Sequence, residues 1–155
     1  MRTLRLISFA IIAIVMSVNF AACSDDDEDI DVNQLEGTWG LVHFEGYYYE
    51  EGQKIDWNNQ YDPTNPSEDC DKVVISKVSD NIYSMVHYAY YDNKWNQEDT
   101  EKVSLDGNNL LPVDEEDDEV TSAKLLVANS TQLVIETKGV DEDGDFYQKM
   151  TYKRL

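Results

Sequence analysis

Lysine and arginine are scarce in this chain: 12 of them stand against 32 Asp and Glu in 155 residues, for a formal net charge of −20. A field of that sign repels nucleic acid and anionic membrane surfaces, which excludes phosphate-backbone binding and leaves neutral or cationic partners. Histidine and cysteine are scarcer still, with only His43, His87, Cys23 and Cys70. Two histidines without spaced cysteines or carboxylates do not complete a zinc set, so no metal is expected. No Gly-x-Ser-x-Gly elbow, phosphate-cradling glycine loop or His-Glu-x-x-His occurs either, and the reading is a protein that is not an enzyme and needs no cofactor. Finally, no window of a dozen residues carries a 3.6-residue period, which excludes a helical bundle.

What is present begins with Arg2 and Arg5, a run without charges from Leu6 to Ala22, and the small pair Ala21-Ala22 before Cys23. A cationic start, a short apolar stretch and small exit residues describe a secretory signal peptide over residues 1–22. A membrane-spanning helix would need about 20 apolar residues, and Ser8, Ser17 and Asn19 already dilute this stretch. Phe20-Ala21-Ala22-Cys23 resembles the lipobox of bacterial lipoproteins, with Phe where that pattern most often has Leu. The resemblance implies acylation of Cys23, whereas ordinary cleavage near Ala22 would leave it a free thiol. Several acyl chains hold durably, at about 0.8 kcal/mol per buried CH₂, where one chain is marginal.

Ser24-Asp25-Asp26-Asp27-Glu28-Asp29 cannot bury apolar surface and repels itself, so residues 23–34 are expected to be an extended, lipidated acidic tether. The same run looks like the Ser-plus-acidic export signal of lipoproteins displayed on the cell surface. Localisation is therefore expected at the outer membrane, lipid-anchored and exposed on the cell surface, with a periplasm-facing position as the alternative. Removal of residues 1–22 leaves 10 basic against 32 acidic residues. The remaining length suits one domain, residues 35–155, expected to be monomeric. Cys70, between Asp69 and Asp71, has its thiolate disfavoured by charge and is read as inert or buried.

Short apolar runs separated by turn chemistry make the domain nearly all β. Strands are expected from Thr38 to about Tyr49, with Gly40 and Gly46 as points of bending, and then at 72–78, 82–91, 100–105, 109–113, 119–128, 132–138 and from Asp145 to the C-terminus. Ser79-Asp80-Asn81, Asp106-Gly107-Asn108 and Asn129-Ser130-Thr131 read as hairpin turns, the Asp-Gly pair most strongly. Residues 50–71, polar and holding Pro63 and Pro66, read as a long connection. About eight sequential strands favour a single up-and-down barrel, which hides its edges, over a two-sheet sandwich. Lys and Glu within the strands exclude an outer-membrane barrel, whose outer face must suit lipid.

Leu35-Glu36-Gly37-Thr38-Trp39 resembles the Gly-x-Trp opening of lipocalins and of bacterial lipocalin-like lipoprotein domains, and the ending "YQKMTYKRL" is similar to their last strand. The resemblance implies a lipocalin-like barrel whose closed end is plugged by Trp39 with Arg154 lying across it. A guanidinium over an indole contributes about 1 to 2 kcal/mol when partly desolvated, and here it would tie first strand to last. The resemblance further implies a small apolar or amphipathic ligand. With residues 50–71 as a lid over the open mouth, Trp57 and Tyr61 are the expected ligand contacts, and His43 and His87 the polar points inside. The alternative is a non-catalytic accessory domain with a filled barrel core, whose partner is a protein or a surface glycan. Asp141 to Asp145 alternates carboxylates, but Phe146 and Tyr152 stand where an EF-hand loop needs Gly and Glu, so a solvated turn is expected there.

Overall fold

Alternation of buried and exposed residues, the mark of strands with one face on a core, runs through most of the chain. The computed structural model describes residues 30–113 and 120–155. Its strands are β1 (Gly37–Glu50), β2 (Gln53–Gln60), β3 (Asp71–Ser79), β4 (Ile82–Tyr91), β5 (Lys94–Asp106), β6 (Asn109–Pro112), β7 (Val120–Ala128), β8 (Gln132–Val140) and β9 (Asp145–Arg154). Each named strand pairs antiparallel with its neighbour from β3 through β9, and β9 closes on β1 along Trp39 to Tyr47. The result is a closed eight-stranded barrel with β2 as a ninth, outlying strand.

The ninth strand corrects the reading of residues 50–71 as one long connection. β1 pairs with β3 only over Gly37 to Gly40; beyond that its free side is taken by β2, from His43 against Gln60 to Glu50 against Gln53. Glu51 and Gly52 turn this hairpin, both with positive φ. The true connection is residues 61–70, whose Pro63 packs so closely on Gly40 that a Cβ there would collide with its ring. A Cβ at Gly46 would strike the carbonyl oxygen of Tyr147, so β1 and β9 approach there as only glycine allows. A second correction concerns β5, which begins at Lys94 rather than Thr100. Its hairpin with β4 is turned by Asp92 and Asn93, both with positive φ, a conformation these short polar residues tolerate.

Cross-strand pairs fix which residues share the inner face. The inward set near one end includes Trp39, Leu41, Val73, Ile75, Met85, Val103, Leu125, Leu133, Ile135 and Tyr152, all 5 % exposed or less. A void of about 10 Å³, lined by Leu35, Ile75, Met85 and Leu125 among others, lies within this packing. That is scarcely a single water, and an apolar lining keeps it dry. This half of the barrel is therefore filled.

The same end is sealed by the chain leading into β1. Ile30 bridges Ala128, Asp31 caps a short 3-10 turn at Val32–Gln34, and Leu35 is 2 % exposed. Residues 30–34 thus dock against the barrel as the final part of the stretch read as tether. The signal peptide, Cys23, the acidic run and "DEEDDE" lie outside the described residues.

Candidate functional site

At the sealed pole, Trp39 is fully buried and donates from its indole nitrogen to the Leu35 carbonyl at 2.8 Å. Arg154, its direct partner across β1 and β9, lies with its guanidinium carbon 4.2 Å from the Trp39 ring centroid. The guanidinium donates to the carbonyls of Glu36 at 2.9 Å, Ser130 at 3.0 Å and Gln34. One side chain so joins the incoming strap, the β7–β8 turn and the barrel closure. This pole leaves no opening for a ligand.

Toward the opposite pole the inner surface changes character. β1 leaves its bulge between Leu41 and His43 with Phe44, Gly46 and Tyr48 facing in, Phe44 opposite Met150 and Gly46 opposite Gln148. Through the β1–β2 register, Trp57 shares that inner face, and its ring stands 5.1 Å from Phe44 and 4.9 Å from Tyr48. Its indole nitrogen is fully buried and finds no hydrogen-bond partner among the described residues. Such an orphan donor costs about 1 to 3 kcal/mol unless something supplies an acceptor. Trp57 is thus a strand residue on the wall rather than part of a lid. Tyr61, just past β2, packs against the core, and burial raises its hydroxyl pKa, with the nearby charge of Asp71 adding.

The other wall is acidic. Asp71, Val73 and Ile75 share one face of β3, and Val73 pairs with His87; Glu101, Val103 and Leu105 share one face of β5, and Asp99 pairs with His87. His87 Nε2 lies 2.9 Å from Glu101 Oε1, with both side chains less than one-fifth exposed. Burial pushes the Asp71 carboxyl up to about 6; the His87 charge opposes this, while Asp69 and Glu98 reinforce it. Asp71 stands at the start of β3 and remains exposed to solvent. At the floor, burial raises the Tyr152 hydroxyl pKa far above its ordinary range, and Asp71 and Glu101 add to the effect. Among the described residues no three His, Cys, Asp or Glu side chains converge to hold a metal ion.

His43 falls on the outer face, where it pairs with Thr151 and its Nε2 lies 2.9 Å from Asn58 Oδ1. The expectation of His43 as an inner polar point is corrected by the bulge, whose one extra residue reverses the parity of β1. The inward acids Asp71 and Glu101 were missed by reasoning from sequence. Their signal was there, since Asp-x-Val-x-Ile and Glu-x-Val-x-Leu place each carboxylate in phase with apolar residues of the inner face. Cys70 is 1 % exposed, with its Sγ near Ser67 Oγ and the Asp62 carbonyl. Asp141 Oδ1 accepts from the backbone nitrogens of Asp143 and Gly144, an ordinary polar turn.

A sealed pole, a guanidinium over the opening tryptophan and eight sequential strands can be set beside solved structures. The siderocalin Ex-FABP, described as functioning "through dual ligand specificities", superposes with a TM-score of 0.53 at 12 % identity, covering 79 % of this chain and 74 % of its own. The chain has a lipocalin-like fold. Siderocalin Q83, described as revealing "a dual ligand binding mode", gives 0.50 at 12 % identity, over 79 % and 71 % of the two chains. No protein-family model and no curated protein matches this lipocalin-like chain in sequence.

Proposed function

We propose that this protein is a lipid-anchored protein of the cell envelope whose lipocalin-like barrel binds a small apolar or amphipathic molecule in its upper half, without catalysing a reaction on it. The observation that supports this reading is the division of the barrel interior. A packed apolar half gives way to a half walled by Phe44, Tyr48 and Trp57, with the buried indole nitrogen of Trp57 lacking an acceptor. Apolar walls with a few placed polar groups are the make-up of small-molecule sites. The ligand specificities named for the similar siderocalins fit the same use of the fold. Cys23 would carry the lipid, and the outer membrane, with the domain on the cell surface, is the proposed address.

Purifying the protein from its own cells and identifying co-extracted small molecules by mass spectrometry tests the binding reading; a ligand-free preparation that takes up no hydrophobic probe would overturn it. Trp57→Ala should weaken binding at least tenfold while leaving the folded state intact. Incorporation of labelled palmitate, lost in Cys23→Ser, tests the anchor, and protease treatment of intact cells tests the surface address.

A second reading, an accessory domain for a protein or glycan partner, draws on the outer face of the β4–β5 hairpin. There Tyr90 meets Trp95 edge-on at 5.3 Å, and Lys72 Nζ lies 4.6 Å over Trp95 and 5.0 Å over Tyr88. Retention of the protein on immobilised cell-surface glycan, lost in Trp95→Ala but not in Trp57→Ala, would favour it.

A further inference from the structure

One strand of this sheet keeps an open edge. β2 pairs with β1 alone, whereas every strand from β3 to β9 has a neighbour on each side. The hydrogen bond from Tyr61 N to the Val42 carbonyl, at 3.0 Å, sets the phase of the β1–β2 ladder. The backbone N–H and C=O groups of Gln53, Ile55, Trp57 and Asn59 therefore face β1, and those of Lys54, Asp56, Asn58 and Gln60 face away. Among the described residues no backbone hydrogen bond reaches that outer row, since the connection at 61–70 bonds only to Val42, to itself and to Tyr90.

Such a row is a template for another strand, and proteins that avoid pairing guard it with proline, a bulge or unmatched charge. β2 has no proline, and its register with β1 is unbroken. Its lysine on the edge, Lys54, is matched by Asp56 at 2.7 Å, and both side chains stay open to solvent, at 44 % and 68 %.

We propose that this edge docks β2 of a second copy, paired antiparallel about Ile55. The charges choose both the occupant and the register. Two copies of one edge meet around a two-fold axis, so that residue i faces j and j faces i. With the axis at Ile55, Lys54 of each copy faces Asp56 of the other, and the ion pair is made twice. Moved to Asp56, the axis sets carboxylate against carboxylate, and like charges directly opposite destabilise. Moved to Trp57 or Asn58, it leaves Asp56 facing a neutral amide. An axis between residues would set the outward backbone groups against ones already bonded to β1. In the chosen register Ile55, half-buried on the face it shares with Trp57, meets Ile55 as a non-hydrogen-bonded pair. The sealed poles of the two barrels then point away from each other.

A single strand edge makes a small contact, so the dimer is weak, with a dissociation constant of roughly 10 to 100 µM. The net charge of −20 on each copy opposes it, but is screened beyond about 8 Å at 0.15 M salt. The pairing does not depend on ligand binding.

A non-hydrogen-bonded antiparallel pair holds its Cα atoms about 4.5 Å apart, within reach of a disulfide. The test oxidises purified full chain in detergent at 0.15 M salt, where copies meet in any orientation, and follows it on a non-reducing gel. The unsubstituted chain gives the background from Cys23 and Cys70. Above that background, Ile55→Cys should form the doubled-mass species at least about tenfold faster than Gln53→Cys or Asn59→Cys. Adding Asp56→Pro, whose lost N–H faces outward and spares β1, should bring Ile55→Cys down to their rate. Adding Asp56→Lys instead should slow it about fivefold, and Lys54→Asp beside that change should restore it. Equal rates for Ile55→Cys and Gln53→Cys, a rate that survives Asp56→Pro, or indifference to the charge reversal overturns the proposal. So does a photo-crosslinking side chain at Asn58 that, in intact cells, joins the chain only to a different protein, because the edge would then belong to a foreign strand.

Discussion

Replacing Arg154 with alanine should loosen the barrel at the point where its first and last strands meet. The side chain makes three hydrogen bonds to main-chain carbonyls, from Ser130, Glu36 and Gln34, and covers the Trp39 ring at 4.2 Å. A hydrogen bond to a charged donor contributes about 1.5 to 3 kcal/mol, but the Ser130 and Glu36 carbonyls lie near solvent and can be rehydrated, so these two count about 1 kcal/mol together. The Gln34 bond is partly buried and contributes about 1.5 kcal/mol. The stacking on Trp39 adds about 1 kcal/mol. The expected loss is about 3 to 4 kcal/mol, a large part of the stability of a domain this size. Urea unfolding followed by Trp fluorescence measures it, with an unchanged m-value showing that the surface exposed on unfolding is the same. Arg154→Lys keeps the charge but cannot reach three carbonyls with a planar fork, and should recover less than half of the loss. A loss under 1 kcal/mol for Arg154→Ala would refute the reasoning, since the guanidinium would then be an ornament on a closure held by strand pairing alone.

Gly46→Ala should destabilise by about 2 to 3 kcal/mol in the same assay, because the colliding atom is the Tyr147 carbonyl oxygen and backbone yields less than a side chain. Asp71 binds its proton more tightly folded than unfolded, about 6 against 3.8, so its presence costs nothing below about pH 4 and destabilises increasingly as pH rises through 6. Asp71→Asn should therefore stabilise the ligand-free protein at pH 7.5 by about 1 kcal/mol, after discounting for the solvent that reaches the carboxylate, and by nothing at pH 3.5; thermal unfolding at the two pH values checks this. Cys70, 1 % exposed, should react with a thiol reagent at least a hundredfold more slowly in the folded protein than in urea.

Period-two alternation made β4 legible residue by residue, because "IYSMVHYAYY" puts Tyr83 and Met85 on one face with no interruption. The closing pair was legible for a different reason, a motif at each end of the chain whose members must meet if the strands close. β2 was not legible. Its inner face carries only Ile55 and Trp57 as apolar residues and its outer face is open to solvent, so "QKIDWNNQ" has the composition of a loop. What makes it a strand is the unpaired upper half of β1, a tertiary fact. His43 was misplaced because counting by twos cannot see the extra residue of a bulge. Asp71 and Glu101 were passed over because a strand carboxylate is usually solvent-facing, whereas these two are in register with the apolar inner face of β3 and β5.

The strap from Ile30 to Leu35 enters beneath the Trp39 plug, while the β1–β2, β4–β5 and β8–β9 turns stand at the far end of the strands. A lipid on Cys23, as proposed above, would consequently hold the molecule by its base. The rim would then stand at the opposite end from the attachment, and under the binding proposed above a ligand would enter there.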